Sequence, residues 1–301
     1  MSRPAPASVR ILREWIRQES LKSGVAAERI ERSVANTVVG QMLPPGVVKG
    51  GTSLKLRVGE RASRFTPDFD AAWASTTTLE AYMEQLEDSL EAGWGGFGGK
   101  IVELEPAKPE GVPGEYVMRP FAIKLQYKGK PWLTVKFELG RDEVGSTEKW
   151  EMALADDLVE LFEKLGLPKP DPVAVMLAEH QVAQKLHACT GVDKTGSNER
   201  AHDLVDLQIL ERQKPIDVAE AGRVAKRLFA ARRAQAWPPK VVVFEGWDSL
   251  YAEEAKGLDV LGSVEEAVEW ANDLVEAMVA GVRPPGEFGK DKDEAAGEIG
   301  L

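Results

Sequence analysis

The period of the apolar pattern changes partway along this chain, and that change constrains the fold more than any other feature. Before Gly140, four segments read as strands: Phe65–Trp73, then Ile101–Leu104, Tyr116–Tyr127 and Trp132–Leu139, with Lys128-Gly129-Lys130 suggesting a hairpin between the last two. After Gly140 the spacing is helical, over Leu154–Leu165, Val173–Cys189, Arg200–Leu210, Val218–Arg233 and Val264–Val279. A sheet-bearing region followed by a helical one is expected, with the boundary near residue 150. Upstream, residues 8–43 read as helices that carry Ile11, Leu12, Trp15 and Ile16, then Ile30, Val34, Val38 and Val39. Pro44-Pro45-Gly46 stops them. Gly50 to Arg57 can begin a helix, and Phe65–Trp73 reads as the first strand. Thr77 and Glu80 have capping-box spacing ahead of a helix with Leu79, Tyr82, Met83, Leu86 and Leu90 on one side.

With 301 residues the chain can bury a large core, most simply as two domains, 1–150 and 151–283. The segment 284–301 is Gly-rich and charged and is expected to be disordered. No run approaches the roughly 18 apolar residues that span a bilayer, and the first twenty residues lack the apolar core of a signal peptide. Cys189 is the only cysteine, which excludes a disulfide framework within one chain and a multi-cysteine zinc site. These features together point to a cytoplasmic protein without a membrane partner. The net charge of -11 argues against nucleic acid at first, but the distribution is uneven. Residues 212–240 hold eight Lys/Arg against Asp217 and Glu220, and Lys49 to Arg64 holds five bases against Glu60. Each run taken singly reads as a solvated face, yet two of them in so acidic a chain favour a phosphate-rich ligand.

The chemistry concentrates in Lys49-Gly-Gly-Thr-Ser-Leu54 and in Arg64-Phe-Thr-Pro-Asp-Phe-Asp70. In a strand, Asp68 and Asp70 project to the same face. Two carboxylates so placed can hold Mg²⁺ against nucleotide phosphates. The Gly-Gly pair lets backbone N–H groups come close to those phosphates. The plainer alternative is a surface hairpin with two solvated acids. Gly93, Gly95 and Gly98 fit G-x-G-x-x-G in the wrong context, a helix before and a strand after, and read as a linker. His180 and His187 lie seven apart, so zinc is conceivable, but no H-x-x-x-H pair or cysteine cluster supports it. Structural or solvent-facing roles are favoured for these two and for His202. Further on, Lys185-Leu-His-Ala188 precedes Arg200-Ala-His-Asp203-Leu-Val-Asp206, where the three-residue spacing of Arg200, Asp203 and Asp206 makes a connected helical stripe.

Taken in order, Gly50-Gly-Thr-Ser-Leu54, Arg64-x-Thr66-x-Asp68-x-Asp70, Lys185-x-x-Ala188 and Arg200-x-x-Asp203-x-x-Asp206-Leu207 resemble the AbiEii/AbiGii-type toxins. These are nucleotidyltransferases of the DNA polymerase β-like superfamily, to which the mycobacterial tRNA-modifying transferase toxins also belong. The resemblance covers roughly residues 36–280. Pro67, directly before Asp68, departs from the Ser-Asp or Arg-Asp more usual there, and favours a bulge or a strand start. The resemblance implies an α+β fold: a nucleotidyltransferase-like mixed sheet with flanking helices, followed by a C-terminal helical bundle. It implies nucleotide binding by Gly50, Gly51, Thr52 and Ser53, Mg²⁺ at Asp68 and Asp70, and a triphosphate-neutralising Lys185. Asp203 resembles the later catalytic aspartate, and Asp206 has a structural place. Many members of the wider superfamily add a third carboxylate, for which Glu138, out of phase with Phe137, is the candidate. The implied reaction moves NMP from an NTP to RNA, plausibly a tRNA 3′ end, in a type IV toxin–antitoxin system with a cognate antitoxin. The RNA would lie along Arg223, Lys226, Arg227, Arg232 and Arg233, giving salt-sensitive affinity. Transfer to a small molecule or a protein hydroxyl, or nucleotide binding without catalysis, remain the alternatives.

Overall fold

The computed structural model describes residues 3–105 and 117–283. It opens with two helices, α1 (Val9–Ser23) and α2 (Ala27–Gly40). Ser8 starts α1 by accepting the Ile11 N–H, and left-handed Gly24 (φ 74°) ends it. A seven-stranded mixed sheet follows, built from β1 (Gly46–Lys49), β2 (Asp68–Trp73), β3 (Phe97–Glu103), β4 (Arg119–Tyr127), β5 (Lys130–Gly140), β6 (Trp150–Ala153) and β7 (Val173–Met176). Its spatial order is β3-β4-β5-β2-β1-β7-β6. Helix α3 (Gly50–Val58) springs directly from β1, while α4 (Leu79–Ala92) and α5 (Asp156–Lys164) connect strands. The chain then turns helical: α6 (Ala178–Thr190), α7 (His202–Gln213), α8 (Val218–Arg232), α9 (Trp247–Ala255) and α10 (Val264–Ala280).

The Lys128-Gly129 hairpin joins β4 to β5 with positive φ at both residues (48° and 71°), as a primed two-residue turn requires. β2 runs parallel to β5 and antiparallel to β1, so the three strands that matter for the site are neighbours. One face of this trio is apolar. Phe69 and Ala71 of β2 and Phe137 and Leu139 of β5 are wholly buried in a core shared with α1, α2, α4 and α5. The Phe69 and Phe137 rings lie 5.8 Å apart. Deleting a buried aromatic ring costs about 3–5 kcal/mol, whereas an exposed ion pair contributes about 0–1 kcal/mol. Burial of one face therefore fixes which residues the other face presents. A second core lies inside the helical bundle α6–α10, with Trp247, Tyr251 and Phe229 among its largest side chains. α3 belongs to both, because Leu56 packs in the sheet's core and Leu54 in the bundle's.

Several expectations are corrected. The helix expected over Val173–Cys189 is two elements: Val173–Met176 is β7, paired in parallel with β1, and the helix begins at Ala178. A short apolar run behind Pro170 and Pro172 carries no period that separates a buried strand from a buried helix. Strands β6 and β7 lie after residue 150, so the sheet runs past the boundary drawn there. The cap of α4 is Thr78, whose Oγ1 accepts the Ala81 N–H at 3.2 Å, one residue later than the expected Thr77. Gly98, read as linker, lies in β3, which starts at Phe97. Helix α9 was not foreseen. Pro67 proves to be a strand start, since the ladder begins at Asp68. The stretch 284–301 lies outside the described residues.

Candidate active site

The polar face of the β5-β2-β1 trio forms the floor of a cleft of about 610 Å³, roofed by α6 and α7. Asp68 and Asp70 stand on this face, and Glu138 is the register partner of Asp70 across the parallel β2–β5 ladder. All three side chains line the cleft. Lys136, the partner of Asp68, holds them at present: its ammonium lies 3.3 Å from Asp68 Oδ2 and 2.8 Å from Glu138 Oε1. Burial pushes the Asp70 carboxyl up to about 6; Lys49 opposes the rise, and Glu138 and Asp68 add to it.

The turn from β1 into α3 is built around Asp70. Gly50 has φ 61°, and a Cβ there would fall 2.0 Å from Asp70 Oδ2. A Cβ on Gly51 would fall 2.8 Å from Thr66 Oγ1. Both glycines line the cleft where α3 begins. No side chain caps this helix and no acid sits in its first turn, so its N-terminal N–H groups and its dipole favour an anion in the cleft. Thr52 and Ser53 do not join them with their side chains. The Thr52 hydroxyl is buried, donating to the Asp68 carbonyl at 2.8 Å and accepting from Asn36 at 3.2 Å. The Ser53 hydroxyl accepts from Gln181 at 2.6 Å. These hydroxyls fasten α3 to β2 and α6, and neither residue lines the cleft.

The roof carries two buried aspartates in a ladder of charges. Arg64 grips Asp206 with its fork (2.9 and 3.0 Å), Lys185 bridges Asp206 and Asp203 (2.6 and 3.0 Å), and Arg200 closes on Asp203 at 2.9 Å. Burial opposes the Lys185 charge, but Asp206 and Asp203 more than offset it and raise its pKa. Burial likewise works against both carboxylates, yet Arg64 and Lys185 draw Asp206 well below the usual range, and Lys185 and Arg200 lower Asp203. Asp203 thus has both oxygens engaged and a weak hold on protons. His202 also lines the cleft, and burial brings its pKa down to about 4, which leaves it neutral near pH 7. His187 packs edge-on against Phe229, and burial lowers its pKa to about 4 as well.

The five expected RNA-binding bases have different surroundings. Arg232 enters the cleft and pairs with Glu143 through both arms, at 3.0 and 2.7 Å. Arg223 pairs with Glu220 on its own helix. Arg227 lines a smaller pocket beside His180, Lys226 is exposed, and Arg233 ends α8 with φ 54°. Sequence reasoning missed Met118, Gln184 and Glu254 as cleft residues and gave Lys49 no role of its own beyond the basic run. Lys49 adjoins the Gly-Gly pair, whereas nothing local marked Met118 or Glu254.

The carboxylates fit a hard divalent cation. Their donors are oxygens only, two of them already gather around an ammonium, and the raised Asp70 pKa reports crowded negative charge. Among the described residues no three His, Cys, Asp or Glu side chains yet converge on one point as a ready metal centre.

Residues 40–278 match the family model described as the nucleotidyl transferase AbiEii toxin of type IV toxin–antitoxin systems, and the chain belongs to that family. Among solved structures, the nucleotidyltransferase toxin MenT4 from Mycobacterium tuberculosis H37Rv is similar, with a TM-score of 0.50 and 17% identity over 90% of this chain and 99% of that one. No curated protein matches. No described helix is long and apolar enough to cross a membrane.

Proposed function

We propose that this toxin transfers a nucleoside monophosphate from an NTP to an RNA hydroxyl, with the tRNA 3′ end as the acceptor and Mg²⁺ as the cofactor. The carrying observation is that one cleft gathers the start of α3, the Asp68–Asp70–Glu138 face and the Lys185 ladder. The N–H groups of Gly50 and Gly51 bind phosphoryl oxygens of the triphosphate. Asp68, Asp70 and Glu138 would hold the metal, which when bound stabilises charge on the phosphorus oxygens and the departing pyrophosphate. The acceptor oxygen forms a bond to the α-phosphorus as the bond to pyrophosphate breaks, and the hydroxyl proton passes to solvent water.

Asp203 is better suited to holding Lys185 and Arg200 in place than to taking the acceptor proton, because both its oxygens are engaged. Lys185 contributes a fixed positive charge above the floor. Asp206 is structural. A cognate antitoxin is the partner that membership of the family brings with it.

One observation favours a second reading of the acceptor. Two of the bases of α8 are paired, Arg223 with Glu220 and Arg232 with Glu143, which lessens the positive charge offered to RNA and suits a small molecule or a protein hydroxyl. Purified protein and its Asp68→Ala variant, incubated with each α-labelled NTP, Mg²⁺ and total tRNA, decide the matter. Label on RNA with wild type alone is the expected result. Pyrophosphate release without labelled RNA would move the acceptor to the second class, and no turnover with any acceptor would leave only nucleotide binding.

A further inference from the structure

Lys49 is a charged cleft residue to which the proposed reaction assigns nothing. It ends β1 beside Asp70 in the ladder, lines the cleft, and is only 9% exposed. Its ammonium runs toward the end of β5, where Gly140 leaves it room: a Cβ on Gly140 would lie 3.1 Å from Lys49 Nζ.

The other buried cations near the cleft each have a carboxylate. Lys55 has Glu60, Arg57 has Glu151, and Lys185 has both Asp203 and Asp206. Lys49 makes no ion pair among the described residues, and its one hydrogen bond goes to the Met118 thioether at 3.1 Å. Glu143 and Asp70 act on it at longer range without relieving its burial, which lowers its pKa. A thioether is a weak acceptor. An ammonium withdrawn from water without a charged partner is costly, and a methionine would fill the same space without that cost.

The charge therefore has value only when something negative enters the cleft. A divalent cation would be repelled, and a neutral carbonyl would leave the charge uncompensated. A phosphoryl oxygen satisfies it. Lys185, by contrast, already directs its ammonium at two aspartates and has little left to offer a ligand.

Resting on the reading of the cleft as a nucleotidyl-transfer site, we propose that Lys49 is the phosphate-binding lysine of this protein. It donates to a phosphoryl oxygen beside the amides that open α3, while Lys185 serves to hold the roof's aspartates.

Calorimetric titration of inorganic triphosphate into metal-free protein tests this, with Lys49→Met compared with wild type and thermal melting run on both. We expect affinity to fall at least about tenfold, with a melting temperature unchanged or raised. Lys49→Arg should recover part of the affinity. A parallel titration with a short single-stranded RNA identifies the source of the phosphoryl group: loss for RNA alone would place it in the acceptor backbone. Equal binding of both ligands by Lys49→Met would overturn the inference and leave the reading of the cleft intact. Wild type that binds neither ligand would overturn both. Should Lys49→Met not fold, Lys49→Gln is the second variant, and its failure to fold would make Lys49 structural.

Discussion

Asp70 shows how the site trades stability for readiness. Its folded pKa, about 6, lies above that of a free aspartate, so the folded protein holds its proton more tightly than the unfolded chain does. Stability is then undiminished at pH values below the free aspartate's pKa and is lost as pH rises toward about 6. Metal-free Asp70→Asn should accordingly melt higher than wild type at pH 8, by about 3 °C or more, and the gap should close by pH 4. Melting curves across that range would show it, and a gap independent of pH would mean the carboxyl is not strained. Lys136 offers the complementary case, because its ammonium stands where a cation would be drawn. Lys136→Met should bind Mn²⁺ a few-fold more tightly, as an exposed pair contributes about 0–1 kcal/mol. Electron paramagnetic resonance titration measures this directly, and unchanged affinity would show that Lys136 does not compete.

At the scale of elements, the decisive one is α3, whose first residue has no room for a side chain. Gly50→Ala meets Asp70 within 2.0 Å and adopts a left-handed φ. We expect it to lower transfer by two orders of magnitude or more, with a smaller effect on melting, as an assay of labelled RNA beside a thermal melt would reveal. Strand β2 was legible because Asp68 and Asp70 bracket Phe69, an alternation that only a strand turns into two faces. β7 was not, since Val173 to Met176 is an apolar run whose strand character comes from its neighbour β1. Helix α8 was legible as a helix from Val224, Ala225, Leu228 and Phe229. What its charges pair with was not legible, because Glu143, which claims Arg232, lies 89 residues away in sequence. If RNA nonetheless tracks the outer face, Lys226→Glu with Arg227→Glu should flatten the salt dependence of RNA binding. Unchanged salt dependence would move the acceptor path elsewhere.

For the whole molecule, the order of the four motifs was readable, but the way the chain folds them onto one cleft was not. Lys185 and Asp203 come from the helical part, Asp68 and Glu138 from the sheet, and no local pattern states that the roof closes over the floor. The same holds for the sheet's extent, because β6 and β7 complete it only after residue 150. A fragment of residues 1–150 would lack both and leave β1 without its parallel neighbour. It should give no cooperative melt, and a folded fragment would instead make β6 and β7 dispensable. With α3 anchored by Leu54 in one core and by Leu56 in the other, the two halves have no independent way to come apart. The protein should therefore lose its structure in a single calorimetric transition. A ligand held at the first turn of α3 would slow hydrogen exchange across both halves at once.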